Sequence, residues 1–174
     1  DGSPYAGDAY FGGAWHTVLL GTTGAGGRAV FALDVTNPGS FAASKVLWEF
    51  TDPDLGYTIG QPVTGRMKDG TWAAIFGNGY ESTSRRAFLY VVNLQTGALI
   101  REISTGVGGS NGLGGVKLLR DNYMRIVGAY AGDLKGSREI CSDALLEARR
   151  DLLDASPAPL IYVPGDNEWA DCRH

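Results

Sequence analysis

A mainly β fold, built as a partial β-propeller, is what this sequence predicts, and three observations carry the prediction. The 174-residue chain holds 26 glycines, about twice the share that average usage near 7% supplies. Its 4 Trp, 8 Tyr and 6 Phe suit short strands joined by tight turns better than a helical bundle. Above all, one hairpin signature occurs three times: an apolar-rich run, a two-residue turn that tolerates positive φ, and a second apolar-rich run.

The first hairpin is Ala9-Tyr10-Phe11, Gly12-Gly13, then Ala14 to Leu20. The second runs Val63 to Lys68, Asp69-Gly70, then Thr71 to Phe76, and the third Val116 to Arg120, Asp121-Asn122, then Tyr123 to Tyr130. Two further strands follow the first hairpin, Ala29 to Val35 and Lys45 to Phe50, and two follow the second, Phe88 to Leu94 and Ala98 to Ile103. Turns at Thr36-Asn37-Pro38-Gly39 and Gln95-Thr96-Gly97 separate the members of each pair. Each unit is therefore four antiparallel strands in roughly 55 residues, the repeat of a propeller blade. Two and a fraction blades do not close a ring, so the flanks of this segment are expected to expose surfaces where neighbouring blades pack.

Composition narrows the partners. A formal net charge of −4 and the absence of a basic run leave no electrostatic footprint for nucleic acid. No apolar run approaches the roughly 18 residues that span a bilayer. The chain opens at Asp1 inside the hairpin pattern without a charged n-region and apolar h-region, as expected if an export signal lies in a preceding portion. Cys141 and Cys172 allow one disulfide or two free thiols, and they fix no compartment.

Several short motifs in order resemble the C-terminal propeller of the PilY/PilC family of type IV pilus assembly and tip-associated adhesins. They are Asp1-Gly2-Ser3-Pro4, Trp15 to Leu19, Phe31 to Val35, Leu47 to Phe50, Gly56 to Pro62, Phe76-Gly77-Asn78-Gly79-Tyr80 and Tyr130 to Gly136. The resemblance covers residues 1–136. It implies a cell-surface, pilus-associated or secreted protein without enzymatic activity, acting in pilus biogenesis, adhesion and twitching motility through pilus components or a host surface. It also implies calcium at an Asp-rich loop. The corresponding turn, Leu119 to Tyr123, has one carboxylate, Asp121, where a calcium loop supplies several oxygen ligands. That departure argues against calcium there.

After Gly136 the hydrophobic period changes. Ser142 is a candidate N-cap for an amphipathic helix to Asp154, with Leu145, Ala148 and Leu152 on one stripe and Leu146 and Leu153 widening it. Pro157 and Pro159 end the helix, and Leu160 to Val163 reads as a buried strand. Strand, helix and strand over residues 128–174 form a βαβ unit that shares strand 126–133 with the propeller. It brings Asp133 and Asp166, each preceded by Gly, to one sheet edge. Two such carboxylates suit a divalent metal with oxygen ligands, although ordinary strand-to-turn Gly-Asp pairs have the same spacing. Gly132-Asp133-Leu134-Lys135 and Pro164-Gly165-Asp166-Asn167-Glu168-Trp169 resemble the calcineurin-like metallophosphoesterases. This implies Asp133 and Asp166 as metal ligands and phosphoester hydrolysis as the alternative function. Asn167 stands at that family's His and cannot transfer a proton as His does. The remaining ligand motifs are missing, and two carboxylates cannot build a two-metal site. Because the shared strand is claimed by two families, a join of two coding sequences at Gly132 to Gly136 is the expectation for this junction.

Other residues have structural explanations. Trp15, Trp48 and Trp72 are expected to pack between blades rather than to cage a ligand. His16 is expected as a structural or surface residue rather than a catalytic base. The glycine clusters 21–27 and 106–115 contain no P-loop lysine and precede strands, which argues against a phosphate cradle.

Overall fold

The structure is a computed structural model that describes residues 2–106, 111–120 and 126–131. It contains two four-stranded antiparallel sheets followed by a two-stranded one. The first blade comprises β1 (Tyr5–Phe11), β2 (Ala14–Thr22), β3 (Val30–Asp34) and β4 (Val46–Phe50). The second comprises β5 (Val63–Arg66), β6 (Trp72–Gly77), β7 (Phe88–Asn93) and β8 (Leu99–Ser104). β9 (Val116–Arg120) and β10 (Ile126–Ala131) open a third. In each complete blade the strands lie side by side in chain order, which is the meander that the repeat predicts.

The turns set the registers. Gly12 and Gly13 both take positive φ, 59° and 85°, as a two-residue hairpin with the sheet's own twist requires, and Phe11 pairs directly with Ala14. The second hairpin differs from expectation. Pairing stops at Arg66 and Trp72, so Lys68 joins the connection. Gly70 adopts φ 93° and donates its N–H to the Met67 carbonyl at 3.0 Å, while the Asp69 carboxylate accepts from the Thr71 N–H at 2.9 Å. A turn closed by a left-handed glycine needs that extra residue. Asp34 and Asn93, equivalent ends of the third strands, make the same local bond, accepting from the N–H two residues on at 3.0 Å. The repeat thus extends to the chemistry of the turns.

The main core lies between the two blades. Val18, Leu20, Val30, Ala32, Trp48 and Phe50 from the first meet Ala74, Phe76, Tyr90, Val92 and Leu94 from the second. Alternation explains the choice, because residues paired across a strand boundary share a face: Val30 opposite Phe50, Ala32 opposite Trp48, Leu20 opposite Ala32. Phe50, Phe76 and Tyr90 form a triangle of rings with centroids 5.4–5.8 Å apart. The Trp48 indole donates across the interface to the Leu94 carbonyl at 2.8 Å, so its N–H is not stranded in an apolar site. A smaller cluster of Ala73, Ile75, Val91 and Val116 joins the other side of the second blade to β9. On the outer side of the first blade Leu19, Phe31 and Leu33 are half-buried and Val46 is 49% exposed, as a flank awaiting a neighbour requires.

β10 pairs antiparallel with β9, Ala131 opposite Val116 and Tyr130 opposite Lys117. That is the pairing a propeller blade demands of this strand. The expected turn Asp121-Asn122, the helix 142–154 and the strand 160–163 lie outside the described residues.

Asn78 ties these pieces together. Fully buried, its side-chain amide donates to the carbonyls of Asp54 at 2.9 Å and Arg86 at 2.7 Å. Its side-chain oxygen accepts from the backbone N–H groups of Phe88 and Leu113, both at 3.0 Å. Two donors and two lone pairs are all used. Gly79 follows at φ 71°, and a side chain there would run into the Tyr57 carbonyl. Asn78→Ala is expected to destabilise the fold by about 3 kcal/mol or more, since it strands several buried backbone groups at once; Gly79→Ala should cost a comparable amount. Denaturant unfolding checks both, and a loss below about 1 kcal/mol in either would refute this account of the loop junction.

Candidate functional site

Among the described residues, one group of acidic side chains converges. Asp52 and Asp54 lie in the connection after β4, and Glu102 lies on β8; together they offer three carboxylate oxygens within 4.8 Å of one another. The local sequence explains the first two. The Asp52 carboxylate accepts from the Asp54 N–H at 2.8 Å, forming a tight turn around Pro53. Tyr90, wholly buried on β7, points its hydroxyl into the group, 2.8 Å from Asp52 Oδ1 and 3.3 Å from Glu102 Oε1. Burial, then its bond to Asp52, push the phenol far above its ordinary value, so it remains a proton donor. Glu102 belongs to an exposed strand, but its carboxyl end is part-buried against Tyr90. Burial first, then the Asp52 charge, raise its pKa. The arrangement holds negative charge on both sides of a neutral hydroxyl, at the place where the linker between blades meets the outer strand of the second.

A second polar group braces the first blade. Asp34, 8% exposed, accepts from the Thr36 hydroxyl at 2.5 Å and lies 3.4 Å from both His16 Nδ1 and Lys45 Nζ. The Thr36 hydroxyl bond, reinforced by the Thr36 N–H, Lys45 and His16, outweighs burial and lowers its pKa to about 2. His16 stacks flat on Phe11, with centroids 4.2 Å apart. It is thus a structural residue, as expected from the sequence.

Asp133 and Asp166, the metal ligands of the alternative reading, lie outside the described residues, as do Cys141, Cys172 and the carboxylate of the Asp121 turn. Of the three tryptophans, Trp48 is buried and Trp72 partly so, but Trp15 is 63% exposed. It sits beside the Gly12-Gly13 turn, its ring edge-on to Tyr10 and Trp72 at 5.6 and 6.2 Å. The group around Tyr90 escaped sequence reading. Asp52-Pro53-Asp54 gives a local signal, but Glu102 arrives from a strand whose position only the blade register fixes.

Two pH signatures follow. Asp34 titrates at about 2 in the fold against 3.8 otherwise, so its contribution, roughly 2 kcal/mol, is full above the higher value and is lost as pH falls through the lower. Asp34→Asn should remove that amount at pH 7 and flatten the stability profile between about pH 4 and 2. Glu102 has the opposite sign: its raised pKa makes stability greatest below its ordinary value of 4.5 and lower as pH rises through the folded one. Glu102→Gln should therefore raise the melting temperature slightly at pH 7, with the gain closing towards pH 4; a loss at pH 7 would mean that the carboxylate is a net stabiliser.

Residues 1–140 match the family model of the PilY1 β-propeller domain. A type IV pilus biogenesis factor PilY1 homolog of Xylella fastidiosa is 47% identical over 152 residues, covering 79% of this chain and 10% of its own length. The type IV pilus biogenesis factor PilY1 of Pseudomonas aeruginosa strain PAO1 is 46% identical over 143 residues, covering 79% and 12%. In strain UCBPP-PA14 the protein of that name is 44% identical over 172 residues, covering 95% and 14%, so this similarity runs well beyond Gly136. The chain spans about a tenth to a seventh of these relatives. The crystal structure of the P. aeruginosa PilY1 C-terminal domain superposes with a TM-score of 0.69 at 46% identity, over 78% of this chain and 29% of that one. The phosphoesterase resemblance finds no support in these comparisons. By sequence, by its two four-stranded blades and by superposition, the chain belongs to the PilY1 β-propeller family.

Proposed function

We propose that this chain is a section of the propeller of a type IV pilus biogenesis protein and that it serves as an interaction module in pilus assembly, adhesion and twitching motility at the cell surface. The observation that carries the reading is the family match over residues 1–140, on a segment whose buried residues form a blade-to-blade interface. A propeller section of this kind presents loops and strand edges on a rigid frame, which suits binding rather than chemistry. Pilus components are the first expected partners, and a host surface is the expected target of adhesion. The calcium turn does not fit its ion, since Leu119 to Tyr123 offers a single carboxylate, and no step is assigned to calcium.

A segment exchange tests the reading. Replacing the matching segment of P. aeruginosa PilY1 with residues 1–131 of this chain should preserve surface pili and twitching, whereas the same exchange carrying Asn78→Ala should lose both. A chimera that reaches the surface at normal abundance but supports no pili would overturn the proposal.

A further inference from the structure

β8 is the least buried strand of the two complete blades. All six of its residues are exposed, and its one sheet neighbour is β7. A strand held this lightly opens before the core strands do. Among the described residues, one side-chain hydrogen bond ties β8 to another element, from the Tyr90 hydroxyl to Glu102 at 3.3 Å. The same hydroxyl lies 2.8 Å from Asp52, in the connection between the blades. The tie therefore runs through Tyr90 from the outermost strand to the interblade linker.

This tie is one proton short. Oxygens of three carboxylates, Asp52, Asp54 and Glu102, converge within 4.8 Å, and the Tyr90 hydroxyl has a single hydrogen to give. The ion pairs among the described residues belong to Asp34, so none of these carboxylates is paired with Lys or Arg there. Arg101, next to Glu102 in sequence, pairs with Val91 and lies on the opposite face of the sheet. The groups facing Glu102 are thus Asp52 and Asp54 from the linker and Tyr90 from β7. Asp52 Oδ1 already accepts from the Asp54 N–H and from Tyr90, both at 2.8 Å, whereas Glu102 has only the longer contact. An added proton therefore goes to Glu102, in keeping with the rise in its pKa from burial first and then from the Asp52 charge. As a neutral acid, Glu102 can donate to an aspartate oxygen while still accepting from Tyr90. As a carboxylate it competes with Asp52 for one hydrogen and repels both aspartates.

We propose that Glu102, Tyr90 and Asp52 form a proton-operated clasp, which fastens β8 to the interblade linker in acid and slackens at neutral pH. The sign follows from linkage: a carboxyl that the fold favours in its neutral form stabilises the fold fully when protonated and loses that contribution as pH rises. The outer edge of the second blade is then firm in acid and freer to open at neutral pH. This device goes beyond the pilus reading and does not rest on it.

Amide hydrogen exchange on the full chain tests it, with a chelator present so that no metal ion substitutes for the proton. Thr105 donates its N–H to the Ala87 carbonyl. The Ile103 N–H, two residues back and paired with Leu89, therefore also faces β7 and reports the opening of β8. Its protection factor, taken relative to that of Ile75 on β6, should rise about three- to tenfold from about pH 7 to about pH 4.5. In Glu102→Gln, whose carboxamide donates and accepts as the protonated acid does, the ratio should be high at both pH values. Asp52→Asn, which removes the facing charge on the linker, should flatten the dependence as well. A wild-type ratio that does not change with pH overturns the proposal. So does a rise that persists in Glu102→Gln, because another group then carries it. A rise that Glu102→Gln abolishes but Asp52→Asn leaves intact overturns it too, because the linker then has no part in it.

Discussion

The buried amide of Asn78 is the point on which the second blade depends. The connection from the first blade, the start of β7 and the approach to β9 each contain backbone groups that no sheet partner can satisfy. One side chain satisfies four of them. The backbone of the same residue adds two more bonds, its N–H to the Phe88 carbonyl at 2.9 Å and its carbonyl from the Gly56 N–H at 2.7 Å. An unpaired backbone group in a dry interior costs about as much as a lost hydrogen bond. The loops can be buried only because this amide stands between them. Gly79 makes the approach possible sterically, and Asn78 makes it possible electrostatically.

Much of the fold was legible because a blade is a local object. Strand alternation, turn residues and repeat spacing are properties of adjacent residues, and they placed all eight strands of the complete blades to within a few positions. The exception at Lys68 reflects a choice between two turns that Asp-Gly serves equally well. The burial of Trp48 followed from its face, whereas Trp15 has the same strand environment but falls beside a turn, past the edge of the interblade core. No local pattern distinguishes those two tryptophans. The site around Tyr90 was illegible for a related reason. Asp52 and Glu102 are fifty residues apart in sequence, and they meet because β7 and β8 are held in one register and the interblade linker returns across them.

The two polar groups show how the same chemistry has opposite effects. Asp34 is buried with donors on every side, so its ionised form is favoured by hydrogen bonds that outweigh desolvation. Glu102 has one neutral donor, Tyr90, and two acidic neighbours, so burial and repulsion oppose its charge. Asp34 therefore anchors a turn, while the charge of Glu102 is disfavoured where it meets Asp52 and Tyr90.

The bond from the Trp48 indole to the Leu94 carbonyl joins positions 46 apart, and the Gln61 amide reaches the Pro4 carbonyl across 57. Contacts within a blade span a hairpin; contacts between blades span a whole repeat. Closing short loops is fast and closing long ones is slow, so each meander forms ahead of the interface that joins them. During that interval the faces bearing Phe50, Phe76 and Tyr90 are open to water and to other chains. A newly synthesised chain of this kind is most vulnerable to aggregation between making its sheets and stacking them, and a chaperone that shields flat aromatic surfaces is the help it would need.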